Sequence, residues 1–206
     1  MSSRPIYCDC QATTPVDPVV LEAMLPYFSG QFGNPSSPHV YGWEAEAAVE
    51  TARATIASAI NAEPAEIVFT SGATEANNLA IKGVAETYVS RGRHIITVAT
   101  EHRAVLEPVR YLASLGFDTT ILPVRSDGLL DLEMLATALR SDTILVSVMA
   151  ANNEIGVLQP LLTIGALLRD RYSLETKPFF HTDAAQALGQ IPLDVEKMGL
   201  DLVSMT

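Results

Sequence analysis

Lysine is scarce in this 206-residue chain, occurring only at positions 82, 177 and 197. Lys and Arg together number 13 against 24 Asp and Glu, a formal net charge of −11. Gripping a nucleic-acid backbone takes clustered cations, so nucleic acid is excluded as a partner. Long apolar runs are also missing. Ile144-Leu145-Val146 and Phe179-Phe180 are far too short to cross a bilayer, so no membrane is expected to be involved. Met1-Ser2-Ser3-Arg4-Pro5 lacks the apolar stretch of a secretory signal, which makes a cytoplasmic location the expectation. Cysteine is limited to Cys8 and Cys10. On an extended strand two residues this close share a face, a disulfide between them is strained, and two ligands do not make a metal site. No metal is therefore expected. The plain reading of both is small buried apolar side chains in a reducing compartment, with a redox or sulfur-handling role as the alternative.

What is present is a globular composition, 48% hydrophobic with a mean hydropathy of +0.22, enough to bury a core. Residues 1–40 carry Pro5, Pro15, Pro18, Pro26, Pro35 and Pro38, which confine helix to a short stretch near Val19–Leu25. This is expected to be an N-terminal arm, with 41–206 a single large domain. From Trp43 to Ile60 the chain is rich in Ala and Glu and free of Gly and Pro, and Val49, Ala52, Ile56 and Ile60 recur at helical spacing. Beyond it, β-branched or aromatic runs at Glu66–Thr70, His94–Ala99, Thr119–Pro123, Thr143–Ala150, Pro178–Asp183 and Asp201–Thr206 alternate with helical stretches. The helices are predicted at Glu75–Ser90, Ala104–Leu115, Asp131–Leu139 and Leu161–Asp170. Such alternation predicts an α/β fold, a mostly parallel sheet with helices on both faces.

Ligands of open α/β sheets bind beyond the carboxyl ends of the strands. After the first run comes Thr70-Ser71-Gly72-Ala73-Thr74-Glu75-Ala76-Asn77-Asn78, a tight turn opening a helix, with Thr74 a candidate N-cap. Free N–H groups at such a start can seat a phosphate, or the segment is an ordinary cap. It matches neither a Walker loop nor a dinucleotide fingerprint. His102 follows the second run and could be structural or catalytic. Asn152-Asn153-Glu154 follows the fourth, where buried amides need partners. The fifth run ends in His181-Thr182-Asp183-Ala184-Ala185-Gln186, delivering a carboxylate flanked by small residues, with Gln186 in reach if the backbone turns helical. A buried carboxylate needs a cationic partner, unless it simply caps the next helix. A phosphorylated aromatic cation would use all of these groups.

These segments, together with Tyr7-Cys8-Asp9-Cys10-Gln11-Ala12-Thr13-Thr14-Pro15 and Gly33-Asn34-Pro35-Ser36-Ser37, resemble the cysteine desulfurases of the NifS/IscS type. That group lies within the class V aminotransferases of fold-type I, and the resemblance runs along essentially the whole chain. It implies pyridoxal 5'-phosphate as cofactor in a transferase-like large domain. Ala73 and Thr74 would hold the phosphate, with Thr206 as a further phosphate contact. His102 would stack on the ring and move protons. Asn153 and Gln186 would bond the phenolic oxygen or its surroundings, and Asp183 would pair with the protonated ring nitrogen. The implied reaction removes sulfur from L-cysteine, releases L-alanine and leaves a persulfide on an enzyme cysteine for iron–sulfur cluster or thio-cofactor assembly. Partners implied are a second copy of the chain and a sulfur acceptor or iron–sulfur scaffold.

In the family pattern Thr206 is followed by one further residue, then His and the cofactor-bearing Lys. The expectation is thus a chain truncated before that lysine, the acceptor cysteine and the C-terminal domain. None of Lys82, Lys177 or Lys197 matches that lysine, and neither Cys8 nor Cys10 matches the acceptor, so the chain alone is expected to be inactive. The alternatives are another class V enzyme, either a selenocysteine lyase or an aminotransferase, and a non-catalytic dimerisation or binding module.

Overall fold

The computed structural model describes residues 4–206. They fall into two compact units, one reaching Ala59 and taking in Glu63–Ile67, the other comprising Ile60–Ala62 and Val68–Thr206.

In the first unit Asp17 accepts the Val19 N–H at 2.8 Å and Pro18 occupies the first turn, which starts helix α1 (Pro18–Met24). A 3-10 turn at Leu25–Phe28 ends it. Helix α2 spans Val40–Ile60. Gly33 and Gly42 fix the approach to it, because a Cβ on Gly33 would lie 1.8 Å from the Tyr41 carbonyl oxygen and one on Gly42 2.0 Å from that of Ser37. Of the predicted α2 face, Ile60 is buried, Val49 and Ile56 are half-buried and Ala52 is exposed, while Ala45 and Ala57 are buried instead. Alanine contributes too little hydropathy to mark a face. Cys8 and Cys10 are exposed free thiols, not the buried small residues expected, because the arm around them is exposed throughout.

The second unit is built on five short strands. In chain order its elements are helix α3 (Ala73–Thr87), strand β1 (His94–Val98), α4 (Arg103–Ser114), β2 (Asp118–Leu122), α5 (Leu132–Ala138), β3 (Thr143–Ser147), α6 (Leu161–Arg171), β4 (Phe179–Asp183), α7 (Val195–Met198) and β5 (Leu202–Ser204). The strands lie in the order β2-β1-β3-β4-β5 and every pairing is parallel. Every residue of β1 and β3 is buried. Successive side chains alternate faces, so both faces of the sheet centre are covered. On one face α3 and α4 pack Ile81, Val84, Ala85, Val105, Val109 and Leu112 onto Ile95 and Leu145.

Two segments differ from the sequence reading. Glu66–Thr70 is not a strand. Pro64 opens a 3-10 turn (Pro64–Glu66) secured by a reciprocal Glu63–Glu66 capping box, and the extended residues after it join no ladder, leaving Val68 and Phe69 exposed. The single-turn helix α7 carries too few residues for periodicity to reveal. Asp194 caps it and Gly199 stops it in the left-handed region at φ 67°.

Candidate functional site

Strand order puts a crossover reversal between β1 and β3, where an open parallel sheet leaves a crevice at its carboxyl edge. The turns after β1 and β3 are tied there. Asn152 Nδ2 donates to the Thr100 carbonyl at 2.9 Å, and the Met149 N–H donates to Glu101 Oε1 at 2.6 Å. Asn152 is a structural clamp, since its Oδ1 also accepts the N–H groups of Glu154 and Ile155, both at 2.9 Å.

Asp183 ends β4 and is 5% exposed. Its Oδ2 accepts from Asn77 Nδ2 at 2.7 Å and its Oδ1 from the Ala185 N–H at 3.0 Å. It enters no ion pair among the described residues. Asn77 joins α3 to the end of β4 across 106 residues of sequence. It shares the buried stripe of α3 with Ile81, Val84 and Ala85, and an asparagine in an apolar stripe was the signal that could have found it.

Helix α3 starts two residues earlier than the Thr74 cap implied. Gly72 is its N-cap, at φ +150°, a conformation that favours glycine, and gives no side-chain cap. The first N–H to find an acceptor is that of Ala76, on the Gly72 carbonyl at 3.1 Å. The first-turn amides, Ala73 and Thr74 included, are therefore open, and a Cβ built on Gly72 would meet nothing within 4 Å. Glu75 turns back onto Ser71, its Oε2 accepting from both the Ser71 N–H and hydroxyl at 2.6 Å. Those two bonds hold its carboxyl below the usual range.

His102 caps α4 and is exposed. Its Nδ1 accepts the Ala104 N–H at 3.1 Å, which leaves the proton of the neutral ring on Nε2. Asn153 is half-buried beside Asn152. Gln186 is exposed on a tight turn in which the Ala187 N–H returns to the Ala184 carbonyl at 2.9 Å, so the carboxyl end of β4 does turn back on itself. Thr206 lies beyond β5, exposed. Behind Asp183, His181 is fully buried between Ser147 Oγ (2.8 Å) and Ser204 Oγ (3.0 Å), and burial pushes its pKa down to about 4.

The lysines are occupied elsewhere. Lys82 lies over the Tyr111 ring at 4.9 Å, Lys177 pairs with Asp201, and Lys197 pairs with Asp194 at 2.7 Å.

A family model described as aminotransferase class-V matches residues 6–206. The chain belongs to the class-V aminotransferase family. Among curated relatives it is 58% identical to a mitochondrial cysteine desulfurase of Candida maltosa, over 99% of this chain and 41% of that protein. It is also 58% identical to the cysteine desulfurase IscS of Neisseria meningitidis, over 98% of this chain and 49% of that one. A solved NifS-like protein superposes with a TM-score of 0.91 at 42% identity, covering 96% of this chain and 54% of the other. The chain thus spans about half the length of the relatives it matches. Class-V aminotransferase enzymes depend on pyridoxal phosphate, and the residues fit that group. A buried carboxylate without an ion pair awaits a cation, and an uncapped helix start awaits an anion.

Proposed function

We propose that this chain supplies cofactor-binding residues of a pyridoxal-phosphate-dependent cysteine desulfurase. The enzyme takes the sulfur of L-cysteine onto an enzyme thiol as a persulfide and releases L-alanine. The observation that carries this reading is Asp183, buried at a strand end with both oxygens served by neutral N–H donors and no ion pair among the described residues.

Bound pyridoxal phosphate supplies a cationic ring that accepts the electrons of the bond broken beside the substrate's amino group. Asp183 holds the proton on the ring nitrogen, and Asn77 and the Ala185 N–H hold Asp183. The open amides of Ala73 and Thr74 bind the phosphate, with Thr206 beside it. His102 would stack on the ring and would move protons through Nε2, since Nδ1 is committed to the Ala104 N–H. Asn153 and Gln186 bond the ring's phenolic oxygen or its surroundings. Residues 41–206 form the bulk of the cofactor domain and 1–40 an arm.

The wider assignments follow from the same reading. The protein works as a homodimer in the cytoplasm and passes sulfur to an acceptor or iron–sulfur scaffold. No helix among the described residues is long and apolar enough to cross a membrane.

The test is to incubate the full-length protein with pyridoxal phosphate, L-cysteine and a thiol reductant. Sulfide and alanine should appear in equal amounts, in proportion to bound cofactor. Turnover indifferent to the cofactor, or sulfide without alanine, overturns the reading.

A further inference from the structure

The carboxyl edge of the sheet holds a second buried acid that the proposed function leaves unused. Glu101, in the turn between β1 and α4, is 6% exposed. Its Oε1 accepts the Met149 N–H, and its Oε2 is buried without any partner. An ionised carboxylate spreads its charge over both oxygens, and a dry oxygen with no donor is a costly place for it. A carboxylic acid puts its proton there instead. Asp183 is close enough for its charge to act on Glu101. Neither acid forms an ion pair among the described residues. Two like charges on a dry edge without a cation do not both persist, and the donor sets decide between them. Asp183 receives two N–H groups and Glu101 one.

We propose that Glu101 is a positioning residue that stands in the site as a neutral carboxylic acid. Its Oε1 pins the turn after β1 to the loop after β3, and its retained proton leaves Asp183 the one buried anion among the described residues. The pin also fixes the start of α4, where His102 is the next residue. Burial first, and then the charge of Asp183, push the Glu101 carboxyl well above its usual range, against the opposing pull of the Met149 N–H. No other titratable group among the described residues reverses this. His181, on the strand that carries Asp183, is neutral because burial lowers its pKa to about 4, and His102 is exposed. The proposal rests on the cofactor reading only for what Asp183 faces. The division of charge between the two acids does not depend on it.

The experiment compares the full-length protein with Glu101→Gln, which keeps an acceptor and a donor but cannot ionise. The folded pKa of Glu101 is raised, so its stabilising contribution is present at low pH and is lost as pH rises through that folded value. In the cofactor-free proteins, the melting temperature of wild type should fall relative to Glu101→Gln by several degrees as pH rises from about 4.5, the ordinary glutamate value. The absorption spectrum of bound pyridoxal phosphate should be the same in both. A gap that does not change with pH, or one that favours wild type as pH rises, overturns the proposal, as does a shifted cofactor spectrum in Glu101→Gln. If the variant does not fold, the infrared carbonyl band of a protonated buried acid in wild type at neutral pH decides: its presence supports the proposal and its absence overturns it. Failure of wild type to bind pyridoxal phosphate would sink the function proposed above while the cofactor-free comparison still decides on Glu101.

Discussion

The two ends of the parallel sheet are both polar, and they differ in whether their polar groups are satisfied. At the amino end His94 sits between Thr143 Oγ1 and Thr120 Oγ1, both at 2.8 Å, and the Thr143 hydroxyl also accepts the Arg140 N–H at 2.9 Å. Arg140 in turn holds Asp118 at 2.8 Å and Asp142 at 3.0 Å. No buried side-chain atom of that cluster lacks a partner. In the carboxyl half the buried atoms Thr97 Oγ1, Thr182 Oγ1, Glu101 Oε2 and Asn77 Oδ1 have none. The polar groups of the amino end are spent on holding strands together. Those of the carboxyl end keep capacity in reserve, which is what a binding edge requires.

The largest effect that sharpens this contrast is expected at Asp183. In the full-length enzyme, Asp183→Asn removes the charge while keeping the shape. A buried charged partner is worth about 2–5 kcal/mol, so under the proposed desulfurase function kcat/KM with L-cysteine should fall on the order of 10²–10³-fold. Stability should change far less. A variant with near-normal turnover would mean that the reserve at this end is not used for binding.

The second effect is on stability and depends on pH. His181 has its pKa lowered to about 4 in the folded state, whereas a free histidine titrates near 6.5. The unfolded chain therefore takes up a proton that the folded chain refuses, and stability declines as pH falls from about 6.5 towards about 4. The decline reaches about 3 kcal/mol. Urea unfolding across that range should show it, and His181→Asn should remove most of the slope. His94, also shifted down by burial first, should contribute a weaker slope of the same sign.

The smallest effect is a matched pair. Thr143→Val strands His94 and the Arg140 N–H and should cost about 1–3 kcal/mol. Thr97→Val removes a hydroxyl that bonds to nothing and should be neutral or slightly stabilising. Equal losses in denaturant midpoints would erase the distinction between the two ends.

Much of the sheet was legible in the sequence because its strands are β-branched runs closed by polar punctuation. His94–Val98, Thr143–Ser147 and Phe179–Asp183 each fall within a predicted run. The carboxylate at the end of Phe179–Asp183 was legible for the same reason, since the strand's own alternation and length place it at the edge. The Glu66–Thr70 segment misled because residue type reports the propensity for strand but not the presence of a neighbour to pair with. Asn77 and Glu101 were passed over because their importance depends on what lies across the fold, Asp183 for one and Met149 for the other. Cys8 and Cys10 misled because burial belongs to the arm as a whole, not to the residue type.

The hydrogen bond between Asn77 and Asp183 closes a span of 106 residues with a single 2.7 Å contact. Nearly the entire second unit has to be threaded before that contact exists, and no hairpin offers a shortcut in an all-parallel sheet. The contact is therefore a long-range one, which depends on most of the intervening chain being in place. A molecule that binds only the assembled edge acts as a clasp on the second unit, holding it against opening in proportion to its affinity and concentration.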